Sequence, residues 1–275
     1  MTRDDLYQLI LSRQSYLCVG LDIDPQKIPP FLWEHSDDPL WEFNRRIIDA
    51  TRPYCVAYKP NLAFYEALGL EGWKLLEKTI RYIGEEHFII ADAKRGDIGN
   101  TSRLYAQAFF ETLPCDAVTV APYMGADSVA PFLGFPGKWA VLLALTSNPG
   151  SRDFQFETLE ESGAPLYQRV LGAARTWGGP DELMFVVGAT HPEQFRKIRE
   201  IVPEYFLLVP GVGAQGGDVQ AISENAWNAQ CGLLVNASRS ILYAGNGADF
   251  DRAAAAEAKA LQGEMAAIIA RRSVV

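Results

Sequence analysis

The chain has 275 residues, of which 48% are hydrophobic and 21% charged, enough to bury a sizeable core. The formal charge of −9 argues against wholesale binding to nucleic acid or to an anionic membrane, but a small anionic substrate held by local basic residues stays open. No run approaches the ~20 apolar residues of a membrane span, and the acidic N-terminus reads as a short first helix, not a signal peptide.

After that helix, eight short apolar runs rich in β-formers follow, ending at Asp22, Asn61, Lys94, Tyr123, Thr146, Ala189, Val212 and Ser238. Continuous runs of this kind suit strands buried on both faces of a parallel sheet. Between them, helical spacing predicts helices over 41–50, 71–83, 102–113, 166–177, 192–201 and 250–272. Strand and helix alternating eight times, with no linker rich in Pro, Gly or Ser, favours a single (β/α)8 TIM barrel spanning 1–275 over a doubly wound sheet. The polar stretch 151–165 after the fifth run is read as either a lid or an insertion. Cys18, Cys55, Cys115 and Cys231 stand singly inside apolar runs, a pattern of buried free thiols in a reducing compartment, so a cytoplasmic location is expected. His35, His87 and His191 share no ligand spacing, so no metal is expected; His191 and Pro192 read as the start of a helix.

Active sites of such barrels sit at the C-terminal strand ends. Asp22, Lys59, Asp92, Lys94, Ser147 and Arg239 all fall at or just beyond those ends. Asp92 and Lys94 are two apart, so strand alternation turns both to one face. Asp97 follows after a turn at Gly96, and Lys59 ends the preceding run. Alternating charges in a buried site are expensive unless paired; they are either a structural ion pair at the barrel mouth or groups fixed for chemistry. The segment from Gly211 to Gly216 fits the dinucleotide pattern G-x-G-x-x-G, but it lies late in the chain and no acid ends the next strand. The same glycine-rich turn can instead cradle a phosphate, with Arg239 as a bidentate partner or merely a surface arginine. Ser147 by itself reads as part of a turn after the fifth strand.

The run Asp92-x-Lys94-x-x-Asp97-Ile98-x-x-Thr101, with Lys59 upstream, resembles the signature of the orotidine monophosphate decarboxylases, and the chain length resembles their longer bacterial branch. The resemblance implies a cofactor-free conversion of orotidine 5′-monophosphate to uridine 5′-monophosphate, with Lys94 protonating C6. It implies that Asp92, Lys59 and Asp97 complete a catalytic tetrad. Substrate contacts would come from Asp22 to ribose, Ser147 to the pyrimidine, and Gln215 with Arg239 to the phosphate. It further implies a homodimer in which Asp97, Ile98 and Thr101 serve the neighbouring subunit's site. Two rivals remain: a Mg2+-dependent sugar-phosphate decarboxylase or synthase of the same barrel superfamily, and a barrel that binds nucleotides without turnover. The first would carry an acidic residue where Lys59 stands.

Overall fold

The computed structural model describes residues 1–190, 193–212 and 217–272. Eight parallel strands close into a barrel in sequence order, with β8 paired back onto β1. They are β1 (Leu17–Leu21), β2 (Ala57–Pro60), β3 (Phe88–Arg95), β4 (Ala117–Val120), β5 (Trp139–Leu145), β6 (Leu183–Val187), β7 (Phe206–Pro210) and β8 (Leu233–Ala237). Every apolar run read from the sequence coincides with one of these strands, β3 running one residue past its run to Arg95 and β5 beginning one residue before its run at Trp139. Five of the strands are buried along their whole length and β3, β5 and β7 along most of theirs, as expected where helices cover the outside and side chains fill the inside.

The outer helices follow from one-sided patterning. In the helix Gly69–Ile83, the buried positions Gly72, Leu75, Leu76, Thr79, Ile80 and Ile83 repeat at helical spacing, and Gly84 ends the helix with φ +74°. The first helix, Arg3–Arg13, starts at a capping box between Thr2 and Asp5. The last, Phe250–Arg272, packs on Pro39–Thr51: Phe43 stacks on Phe250 at 5.1 Å, and Arg46 pairs with Asp251 at 2.8 Å. These contacts join the first and last parts of the helical layer.

The sequence-based helix bounds need adjusting in places. The helix expected over 102–113 is an α-helix over Gly99–Gln107 followed by a π-helical turn over Ala108–Thr112, a register that buries Phe109 and Phe110 together. The helix expected over 166–177 ends at Ala174, and that expected over 192–201 runs over Gln194–Ile201, with His191 and Pro192 outside the described residues. A helix not anticipated between β7 and β8, Val219–Ala226, is capped by the Asp218 side chain. The polar stretch after β5 forms an ordered excursion closed by an antiparallel bridge between Thr158 and Pro165. Among the described residues, no helix is long and apolar enough to cross a membrane.

Candidate active site

A cavity of about 360 Å³ opens at the C-terminal ends of the strands. Every strand except β6 brings a polar or glycine residue to its wall or to the loop just beyond: Asp22, Lys59, Asp92, Thr119, Ser147, Gly211 and Asn236. A larger cavity of about 610 Å³ lies at the opposite end, beside Met1, Asp116 and Lys138. It gathers none of the residues singled out above, so the smaller one is the candidate site.

Asp92 organises the charged side. One carboxylate oxygen accepts from Lys59 Nζ at 2.7 Å; the other accepts from Lys94 Nζ at 2.6 Å and from the Thr119 hydroxyl at 3.1 Å. Burial pushes the Asp92 carboxyl up, but the two ammonium groups outweigh it and hold it down to about 2. Burial acts against the charge on Lys59 as well, yet Asp92 and Asp22 together raise its pKa above the usual lysine value. Both shifts point the same way, to an ionised Lys59–Asp92 pair. Lys59 is nearly inaccessible, whereas the Lys94 side chain is 51% exposed. Lys94 is therefore the ammonium that a molecule entering the cavity meets.

Lys94 does not reach Asp92 through plain strand alternation. Its φ is +47°, in the left-handed region that costs a non-glycine residue roughly 1–2 kcal/mol, and the β3–β4 register shifts between Ala91 and Arg95. The sequence reading placed the two side chains together correctly but for a geometry the strand does not keep.

The rest of the wall carries polar atoms without partners. Asp22 Oδ1, Ser147 Oγ and Asn236 Oδ1 are all buried and have no hydrogen-bond partner among the described residues. Orphaned buried polar atoms are costly, and three converging on one cavity are a mark of ligand recognition. Their placement is enforced from behind. A Cβ at Gly188 would lie 2.2 Å from Ser147 Oγ, and one at Gly20 would lie 1.9 Å from Ser238 Oγ, so glycine is needed just past the end of β6 and within β1. The Gln155 amide clamps Thr146, accepting its N–H and donating to its hydroxyl at 2.8 Å each, which ties the excursion after β5 to the residue preceding Ser147. Tyr243 donates to the Asp22 carbonyl and accepts from Asp24 N–H, joining the loops after β8 and β1.

Arg239 lines the cavity beside Gly211 and Val212 and makes no ion pair among the described residues. Gln215 lies outside the described residues. Asp97, Ile98 and Thr101 do not line this cavity. Asp97 Oδ1 accepts from the Ile98 N–H at 2.7 Å, and Ile98 is 54% exposed. Sequence reasoning missed Thr119, Asn61 and Asn236 as wall residues. Their signal was a polar residue interrupting an apolar run near its C-terminal end. Among the described residues, no group of three or more His, Cys, Asp or Glu side chains is placed to hold a metal ion.

Orotidine 5′-phosphate decarboxylases from Porphyromonas gingivalis and Phocaeicola vulgatus are 57% and 53% identical over 268 and 272 residues, covering 96% of both chains in the first case and 98% of this chain with 99% of the relative in the second. Among solved structures, the OMP decarboxylase of Leishmania donovani superposes with a TM-score of 0.82 at 36% identity, covering 98% of each chain. Residues 15–256 match the profile of the "Orotidine 5'-phosphate decarboxylase / HUMPS family", and with these identities over essentially the full length the chain belongs to that family.

Proposed function

We propose that this chain decarboxylates orotidine 5′-monophosphate to uridine 5′-monophosphate without metal or cofactor, as a single barrel domain working in a homodimer. The observation that carries the reading is the Lys59–Asp92–Lys94 triplet in the cavity wall, in which Lys59 is buried, Asp92 nearly so, and Lys94 is the exposed ammonium. Residues 1–275 constitute the one domain, and the reaction supplies UMP in pyrimidine synthesis.

Losing CO2 from C6 of the orotate ring breaks the carbon–carboxylate bond and leaves its electron pair on C6 as a vinylic carbanion. No electron sink lies within the ring, so fixed charge must stabilise that pair and a proton must quench it. Lys94 Nζ does both: its positive charge faces the developing carbanion, and one of its protons passes to C6. The amine left behind recovers a proton from solvent. Asp92 lies against the departing carboxylate and holds Lys94 in line, while Lys59 keeps Asp92 ionised. Asp22 takes ribose hydroxyls and Ser147 the pyrimidine edge, each through an oxygen with no protein partner. Arg239 and Gln215 grip the phosphate.

Asp97, Ile98 and Thr101 act in the partner's site. Supporting this, they stand outside the chain's own cavity on a surface where Ile98, Leu104, Tyr123 and Met124 are all exposed. Mixing Lys94→Ala with Asp97→Asn chains should then restore activity. Half the dimers in an equal mixture pair one of each, and one of their two sites is intact, giving about a quarter of the parental rate. Activity no higher than the sum of the separate variants would sink the shared-site arrangement. All four cysteines are buried and free, which suits a reducing cytoplasm.

The assay that tests the function follows the orotate absorbance of orotidine 5′-monophosphate with EDTA present. Unimpaired turnover is expected. No turnover there, with activity on a sugar phosphate once Mg2+ is restored, would move the chain to the metal-dependent reaction. Tight nucleotide binding with no turnover under either condition would make it a binding barrel.

A further inference from the structure

Between β3 and β4 the ladder is interrupted just where the chemistry sits. Ile90 and Ala91 pair with Ala117 and Val118, and the next pairing is Arg95 with Val120. Three residues, Asp92 to Lys94, therefore face a single residue, Thr119. Two extra residues on one strand leave backbone groups without ladder partners, and a buried N–H cannot be left so without cost. The Thr119 side chain takes over. Its hydroxyl accepts from the Lys94 N–H at 2.8 Å and donates to Asp92 at 3.1 Å. Thr119 is only 1% exposed and is held rigidly within β4.

We propose that Thr119 is a positioning residue for the decarboxylation, its hydroxyl linking the Lys94 backbone to the Asp92 carboxylate so that the proton donor and its partner keep one geometry. The inference rests on the reading of Lys94 and Asp92 as the reacting pair. A hydroxyl suits this place because it alone, among side chains of this size, both accepts and donates along one short path. Its donated hydrogen goes to the same carboxylate oxygen that Lys94 Nζ occupies, so the oxygen cannot swing away from the ammonium. Its accepted hydrogen holds Lys94 in the left-handed conformation that turns its side chain back to Asp92. Substrate affinity comes from other strands, through Asp22, Ser147 and Arg239, so loss of the hydroxyl should be read in turnover and not in binding.

The test compares Thr119→Val, which keeps shape and loses the hydroxyl, with Thr119→Ser, which keeps the hydroxyl, and runs Lys94→Ala beside them. For each, kcat and KM for orotidine 5′-monophosphate, the Kd for UMP and the melting temperature are measured. Thr119→Val should lower kcat by on the order of 10- to 100-fold with KM and the UMP Kd within about twofold of the parent, because misplacing a reacting group by a fraction of an ångström costs rate before affinity. Thr119→Ser should return kcat to within about threefold of the parent, since both hydrogen bonds can reform. Parental turnover in Thr119→Val, with Lys94→Ala inactive, would overturn the role of Thr119 alone. So would a serine variant as slow as the valine one, because the side chain's volume would then be what matters. An active Lys94→Ala would overturn the reading of Lys94, and the inference with it. If the valine variant does not fold, Thr119→Ala against Thr119→Ser makes the same comparison of hydroxyl absent and present.

Discussion

Replacing Lys94 with alanine is expected to lower kcat for orotidine 5′-monophosphate by roughly 10⁴-fold or more, with the Kd for UMP changed by less than about tenfold. The expectation follows from how the two lysines differ. Lys59 is buried against Asp92 and cannot swing to a ring carbon without leaving that carboxylate behind, uncompensated. Lys94 is half exposed, lines the cavity, and is the ammonium free to face an incoming substrate. Removing it takes away the proton donor and one of the two charges that hold Asp92 ionised. Lys94→Arg separates the two contributions: the guanidinium keeps the charge but is a far poorer acid. Turnover should stay lost in that variant if proton transfer is the essential step. A Lys94→Ala chain within about tenfold of parental kcat would remove Lys94 from the chemistry, because general acid catalysis by itself contributes about 10²–10⁴-fold. Stopped-flow or steady-state absorbance, with UMP binding by calorimetry, reads both quantities.

Arg239→Ala is expected to lower kcat/KM for the nucleotide by about 10²–10³-fold while leaving phosphate-free orotidine nearly unchanged. Arg239 opens the short helix after β8 and lines the cavity beside the Gly211 turn after β7. In the ring of eight strands, β7 stands opposite β3, so this grip is remote from the carbon that reacts. Contacts so far from the bond being broken raise the rate only if their binding energy organises the distant array. Much of the loss should therefore appear in kcat. Adding phosphite to the orotidine reaction of the parent should accelerate it, and the Arg239→Ala chain should not respond. Equal losses on both substrates would instead mean that Arg239 serves the fold or the shared mouth of the barrel.

The two expectations together describe a division of labour across the barrel. In the proposed reaction the charged groups are concentrated on β2 and β3, where the Asp92 carboxylate bridges two lysines and one positive charge is left over to face the substrate. Recognition, in the same proposal, is spread over the ends of β1, β5 and β8 through buried oxygens that have no hydrogen-bond partner among the described residues. Desolvating ions is expensive, so the charged groups of β2 and β3 are prepaired, whereas the unpartnered oxygens of Ser147 and Asn236 are neutral and cost less to hold open for a ligand.

Much of this was legible in the residues. The barrel was readable because each strand is a continuous apolar run, and such runs are forced whenever a strand is covered on both faces. Lys59, Asp92 and Lys94 stood out because ionisable side chains at the ends of those runs are too costly to be incidental. The long helices were readable from spacing, since a one-sided helix repeats its buried positions locally. The helices Phe31–His35, Leu62–Glu66, Ala126–Val129 and Arg239–Leu242 were not, because four or five residues are too few to nucleate alone and are helical only where the barrel packs them. The left-handed Lys94, the interruption of the β3–β4 ladder and the Thr119 bridge were decided by tertiary structure, because they depend on which residue of β4 lies beside Asp92. The same holds for Gln155 clamping Thr146 and for the isolation of Asp97 from its own chain's cavity. Local pattern by itself determined which residues line up at the C-terminal ends of the strands; only the closed barrel decided which of their atoms meet, because register and ring closure are properties of the whole chain.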